Sequence, residues 1–308
     1  MKNEIKSHSS NQLYELKSFF NFLINSFQKD IFPNVLMISG KKGIGKFTLT
    51  KHFMCYLFDK SNYNIKENII NSNSTFFQKF LNNTLDNIIY LKGDNFKGAK
   101  TENIRELKSK VLKKSLSGGK RFIILDDIEL FNNHSLNALL KLLEEPPKNN
   151  HFVLINNQSK SLLNTIYSRS LNLKLYLSND QRVKIIETLI KKNNLEVLIN
   201  YNLIHISPGN FLNFNEFCKI GNINIKDSLI KNLEIIFKMF KKEKNTNLIN
   251  FALFLVDNHF YESKEKKKTS IEKIINDRSF VIKNINNFTT YNINSSTIMN
   301  NLNNRINE

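Results

Sequence analysis

The sequence has only two cysteines, Cys55 and Cys218, and they lie far apart. That excludes a disulfide-stapled secreted scaffold, and without any C-x2-C pair it also excludes a tetrahedral thiolate zinc site. Long apolar runs are missing too. Phe251–Val256 is among the longest and holds six residues, against the roughly 18 that a membrane span needs. Met1-Lys2-Asn3-Glu4 leads into polar sequence with no apolar h-region, so no secretory signal is expected, no membrane partner, and a cytoplasmic location. Arginine is scarce: Arg105, Arg121, Arg169, Arg182, Arg278 and Arg305 are the only six among 45 Lys+Arg residues. The formal net charge of +18 invites a nucleic-acid reading. However, residues 1–175 carry 26 basic and 14 acidic groups, and residues 176–308 carry 19 and 13, so no single arm holds the excess. Heavy use of Lys, Asn, Ile and Phe together reads as the codon bias of an AT-rich genome, and much of the charge as lysine on solvated faces.

What is present is core-forming. Hydrophobic residues make up 41% of the 308, which excludes wholesale disorder, and the length suggests two or three domains. Four unbroken runs rich in β-formers, Val35–Ser39, Ile88–Leu91, Phe122–Leu125 and Phe152–Ile155, have the pattern of strands buried on both faces of a parallel sheet. Leu171–Leu177 is a fifth candidate. Helical stretches over Thr48–Phe58, Glu102–Leu116 and Ser135–Leu143 alternate with them, and Ser117-Gly118-Gly119 and Pro146-Pro147 are stop signals. The alternation argues for an α/β domain with a parallel sheet. The Asn-rich segment Asn62–Asn87 reads as an inserted helix with loops. After about residue 176 the pattern becomes all-helical, with helices expected over Asp180–Lys192, Leu195–Ile206, Gly209–Ile220, Ile225–Lys242, Thr246–Tyr261, Ile271–Ile285 and Ser295–Asn303. The run Lys264-Glu265-Lys266-Lys267-Lys268 reads as an exposed loop.

The first strand runs into Gly40-Lys41-Lys42-Gly43-Ile44-Gly45-Lys46-Phe47-Thr48. Strand before, helix after and glycines that turn backbone N–H groups inward are the features of a phosphate loop, with Lys46 to reach the β/γ-phosphates. The usual pattern is G-x-x-x-x-G-K-S/T, and its last position ligates Mg²⁺ through a hydroxyl. Here that position is Phe47. Thr48 is no substitute, because one step along a helix turns a side chain by about 100° and lifts it by about 1.5 Å. Two readings stay open for ATP and Mg²⁺: binding without efficient hydrolysis, or an empty vestigial pocket.

The third strand ends in Leu125-Asp126-Asp127-Ile128-Glu129. Asp126 suits a Mg²⁺-holding Walker B carboxylate. Asp127 stands where hydrolytic proteins carry a Glu, and a carboxylate drawn back by about 1 Å costs on the order of 100-fold in rate. Asn156 and Asn157 lie at the end of the next strand.

Three further stretches carry a resemblance. Asn137-Ala138-Leu139-Leu140-Lys141-Leu142-Leu143-Glu144-Glu145-Pro146-Pro147 is followed by Phe152–Asn157 and then by Thr165-Ile166-Tyr167-Ser168-Arg169-Ser170. With the phosphate loop, these resemble the AAA+ clamp-loader subunits of bacterial DNA polymerase III over roughly residues 33–175. The resemblance implies an AAA+ P-loop domain (about 1–175), a small helical lid (about 176–224) and an all-α C-terminal collar that forms the oligomer (about 225–308). Within the family, Phe47, Asp127, Asn210 after Ser207-Pro208-Gly209, and the absence of a tau-like extension point to the delta-prime type, with little or no ATPase of its own. The resemblance makes Arg169 a finger that completes a neighbour's ATP site in trans. It gives Gly40, Gly43, Gly45, Lys46, Asp126, Asp127 and Asn157 a nucleotide site, whole or vestigial. Asn156 and Asn157 fall where the family has a polar side chain that contacts the γ-phosphate or the water, and Asn157 is the preferred one. The implied partners are the gamma/tau ATPase and delta subunits, the sliding clamp, and primer–template DNA. A four-cysteine zinc module found in many members has no counterpart here. A gamma/tau-type ATPase and an AAA+ DNA-binding helper outside replication are the alternatives.

Overall fold

The computed structural model describes residues 10–93, 101–112, 119–202, 204–265, 270–291 and 293–306. The chain forms two compact units: Met1–Ile185 with Ser207–Gly209, and Ile186–Ile206 with Asn210–Glu308. The stop residues Ser117 and Gly118, and Lys266–Lys268 of the basic run, lie outside the described residues.

In chain order the first unit contains α1 (Lys17–Gln28), β1 (Val35–Ser39), α2 (Lys46–Phe58), β2 (Tyr63–Asn64), β3 (Ile69–Ile70), α3 (Thr75–Leu81), β4 (Ile88–Lys92) and α4 (Thr101–Leu112). Then follow β5 (Arg121–Asp126), α5 (Asn133–Glu144), β6 (Asn150–Asn156), α6 (Asn164–Tyr167) and β7 (Leu171–Lys174). β4, β5, β6, β1 and β7 lie side by side in that order, all parallel. Each expected strand is present, within two residues at its start and three at its end. The segment Asn62–Asn87 holds the expected helix, α3, and also the antiparallel pair β2–β3.

β1, β5 and β6 are buried along their whole length because helices cover both faces. Successive side chains point to opposite faces. Leu36, Ile38, Phe122, Ile124, Val153 and Ile155 join the core under α1, α2 and α3. Val35, Met37, Ile123, Leu125, Phe152 and Leu154 join the other core, with α4, α5 and α6. The three layers leave the C-terminal ends of β1, β5 and β6 side by side, where a doubly wound sheet forms its crevice.

α7 (Asn179–Asn193) crosses from the first unit into the second, which continues with α8 (Pro208–Gly221), α9 (Leu229–Glu243), α10 (Thr246–Glu265), α11 (Ile271–Tyr291) and α12 (Ser295–Ile306). The helix expected over Leu195–Ile206 is not formed among its described residues. Asn194 takes a left-handed conformation (φ 47°), and the Leu198 N–H donates to the Asn215 side-chain oxygen, so this segment runs irregularly. α8 starts at Pro208, as suits a residue with no N–H to satisfy at the first helical position. One apolar core extends through this unit from Ile186 to Leu302. Phe214, in the stretch expected to form a lid, meets Phe251, in the stretch expected to form a collar, with ring centroids 4.9 Å apart. Phe237 stacks on Phe288 at 4.2 Å. Among the described residues no helix is long and apolar enough to cross a membrane.

Candidate functional site

β1 ends at Ser39 and α2 starts at Lys46, so Gly40–Gly45 forms the connecting loop. Gly40, Gly43 and Gly45 have φ of 150°, 83° and 103°, a region that L side chains rarely adopt. Gly40 is also crowded: a Cβ there would lie 2.5 Å from the Leu175 carbonyl oxygen. Lys46 is 3% exposed. Its Nζ donates to the carbonyls of Gly40 at 2.6 Å and Lys41 at 2.7 Å, so the ammonium is bound to the loop itself. Burial pushes it down to about 8, against the opposing pull of Asp126, Glu129 and Asp127. The Gly209 N–H donates to the Gly43 carbonyl at 2.8 Å, in a contact too close for a Cβ on Gly209.

The carboxylates gather beyond the ends of β5 and β6. Asp126, the last residue of β5, is buried and accepts the Tyr90 hydroxyl at 2.9 Å and the Asp127 N–H at 3.0 Å. Burial and the neighbouring Asp127 push its carboxyl up to about 6. Asp127 stands in a left-handed conformation (φ 52°), accepts a hydrogen bond from the Asn157 side-chain amide and lies 3.5 Å from Lys92 Nζ. Asn156 turns elsewhere, its amide donating to the Tyr167 hydroxyl at 2.8 Å. Of the two asparagines, Asn157 is thus the one joined to the carboxylates. Glu129 is buried, and its carboxylate accepts the Asn157 N–H at 3.1 Å and the Ser159 hydroxyl at 2.8 Å. This bonding holds the loop that carries Asn157.

Phe47 points into the apolar core of α2 and α3. Its ring centroid lies 5.4 Å from that of Tyr90 and 6.5 Å from that of Phe80. The position that would supply a metal-ligating hydroxyl is therefore aromatic, and the adjacent tyrosine hydroxyl is bonded to the Asp126 carboxylate. These residues do not fit the Mg²⁺ site of a hydrolytic phosphate loop. The two cysteines are buried in α2 and α8, and burial pushes each thiol up to about 12.

Arg169 is bonded elsewhere, just after α6. Its Nε donates to Glu144 Oε1 at 2.9 Å, one terminal nitrogen pairs with the same oxygen, and the other donates to the Thr165 carbonyl at 2.9 Å. Leu143, Glu144, Ser168, Arg169, Ser170 and Leu171 line an open depression of about 620 Å³ around it. Glu129 and Glu144 stand inside motifs, and their positions relative to Asp127 and to Pro146-Pro147 are the sequence signal for them. Nothing in the sequence marks Tyr90.

Residues 16–179, just over half of the chain, match the family model described as "DNA polymerase III, delta subunit". The chain belongs to this family. It is 23% identical over 254 residues to the delta' subunit of Buchnera aphidicola subsp. Baizongia pistaciae, covering 75% of this chain and 71% of that one. Against the delta' subunit of Buchnera aphidicola subsp. Schizaphis graminum it is 29% identical over 57% of each chain. It is also 29% identical to the tau/gamma subunit of Haemophilus influenzae over 52% of this chain, a stretch that spans only 22% of that relative. A solved DNA polymerase III gamma subunit-related protein from Thermotoga maritima superposes with a TM-score of 0.47 at 13% identity, covering 94% of this chain and 99% of that one. The parallel sheet followed by a helical unit is the α/β-then-helical order expected from the sequence.

Proposed function

We propose that the chain is the delta'-type, non-hydrolysing subunit of the clamp loader. Phe47 carries the proposal: the hydroxyl that a hydrolytic phosphate loop needs for Mg²⁺ is replaced by a ring packed against Phe80 and Tyr90. The Tyr90–Asp126 bond, the short Asp127 and the engagement of Lys46 by loop carbonyls support the same reading. In this role the chain joins a ring with gamma/tau and delta subunits and helps place the sliding clamp on primer–template DNA. Lysines and backbone N–H groups would contribute only phosphate contacts there. Its chemical contribution is Arg169, offered to the ATP held by the adjacent subunit. A planar guanidinium that stays charged is suited to stabilising phosphoryl charge in trans.

The test has two arms. The purified chain is assayed for Mg²⁺-dependent ATP hydrolysis, then reconstituted with gamma/tau and delta subunits for clamp loading on primed DNA. Negligible turnover alone, together with entry into an active ring, is the expected outcome. Robust turnover by the isolated chain favours the gamma/tau-type reading, and failure to enter the ring removes the clamp-loader role.

A further inference from the structure

We infer that Glu144 is a positioning residue for Arg169: it holds the guanidinium side-on so that its remaining N–H faces a neighbour's phosphate. The inference rests on the trans-arginine reading above and adds a residue to it.

Both partners stand on elements fixed by the same core. Glu144 is the last residue of α5, whose Leu139, Leu142 and Leu143 are buried in the core beneath it. Arg169 follows α6, anchored in that core by the fully buried Ile166. The acidic helix end before Pro146-Pro147 and the Ser-Arg-Ser turn are 25 residues apart in sequence, and they meet at this ion pair.

Arginine has five N–H donors in a rigid fork. Here Nε and one terminal nitrogen engage Glu144, and the other terminal nitrogen engages the Thr165 carbonyl. The nitrogen that engages Thr165 also donates to the Ser168 hydroxyl at 3.4 Å, so one N–H remains, on the terminal nitrogen paired with Glu144, as a charged donor for a phosphate oxygen. The Arg169 side chain retains 27% of its exposure and opens into the depression beside Leu143 and Leu171. An exposed ion pair of this kind adds little to stability. Its consequence is orientation: a long side chain that otherwise samples many rotamers is presented in one.

The test uses Glu144→Gln, with Glu145→Gln as the exposed charge control and Arg169→Ala as the reference. In the isolated full-length chain, ¹⁵N-arginine spectra follow the Arg169 Nε–H, which is tractable because the chain has six arginines. Slow Nε–H exchange is expected in the parent and in Glu145→Gln, and fast exchange in Glu144→Gln. In the reconstituted loader, Glu144→Gln is expected to lower the clamp- and DNA-stimulated kcat at the adjacent site by about 10-fold with KM for ATP unchanged. Glu145→Gln should leave kcat alone, and Glu144→Asp should restore part of the loss. Unchanged Nε–H exchange in Glu144→Gln overturns the inference, as does unchanged kcat where Arg169→Ala does lower it. If Arg169→Ala itself has no effect, the trans-arginine reading falls first and the inference with it.

Discussion

The Tyr90 hydroxyl donates to Asp126 Oδ2 at 2.9 Å, across neighbouring strands β4 and β5 of the sheet. The bond links the aromatic packing around Phe47 to the carboxylate that would hold a metal. Burial and Asp126 together raise the tyrosine pKa well above its ordinary value, so the group remains a donor throughout the accessible pH range. Tyr90→Phe should lower the unfolding free energy by about 1–3 kcal/mol at pH 7, because it leaves a buried carboxylate short of a partner. It should also raise the Asp126 pKa further, so the penalty shrinks at pH 5, where the carboxyl is protonated. Urea denaturation at the two pH values checks both statements. An equal penalty at both would mean that what the hydroxyl contributes does not depend on the charge of Asp126.

Asp126 itself costs stability at neutral pH. Its folded pKa of about 6 stands above the ordinary value of 3.8. Between those values the folded protein binds a proton that the unfolded chain releases, so this group makes stability fall as pH rises through about 4 to 6. Asp126→Asn should abolish that fall and be more stable than the parent at pH 7 by about 1–3 kcal/mol. His52, pushed down to about 3 by burial, gives an opposite slope between about 3 and 6.5. It is present in both proteins and cancels in the difference between their stability curves. A variant less stable than its parent at pH 7 would refute the claim.

Phe47→Thr restores the missing hydroxyl in sequence only. The substitution removes a ring packed against Tyr90 and Phe80 and should cost about 2–4 kcal/mol. It leaves the Tyr90–Asp126 bond in place and leaves Asp127 at the position where a glutamate polarises water. Purified Phe47→Thr is therefore expected to show no more ATP hydrolysis than the parent, in an assay paired with a denaturation curve. Appearance of Mg²⁺-dependent turnover would show that the hydroxyl alone had been limiting.

Residues whose signal is local were readable from the sequence, and residues whose role depends on register were not. β1, β5 and β6 are buried on both faces and carry unbroken apolar runs, so the central strands stood out. The phosphate-loop glycines stood out because their spacing encodes the left-handed backbone they adopt. Leu195–Ile206 has apolar residues at helical spacing, yet a left-handed Asn194 and the Asn215 side chain capture its backbone. Tyr90 and Asp126 are 36 residues apart, and only the parallel pairing of β4 with β5 brings them together. Glu144 and Arg169 likewise meet through two elements packed on one core.

Lys51 tests the energetics of the same domain away from the site. It sits on α2 with 1% exposure, its Nζ 3.2 Å from the Asn11 side-chain oxygen and 5.3 Å from the Phe77 ring centroid. Burial pushes its pKa from 10.5 down to about 8. Between those values the unfolded chain holds a proton that the folded protein has released, so stability rises with pH over that window and the full cost applies below it. Methionine matches the length of the stem and fills irregular space without a charge. Lys51→Met should therefore be more stable at pH 7 by about 1–3 kcal/mol, after allowing for the acceptor left on Asn11. Part of the alkaline rise should persist, because Lys46 is also pushed to about 8. Urea denaturation at pH 7 and pH 10 separates the outcomes: the stabilisation should be largest at pH 7 and diminish toward pH 10. A variant destabilised at pH 7 would show that the ammonium contributes more through its bonds than burial takes away.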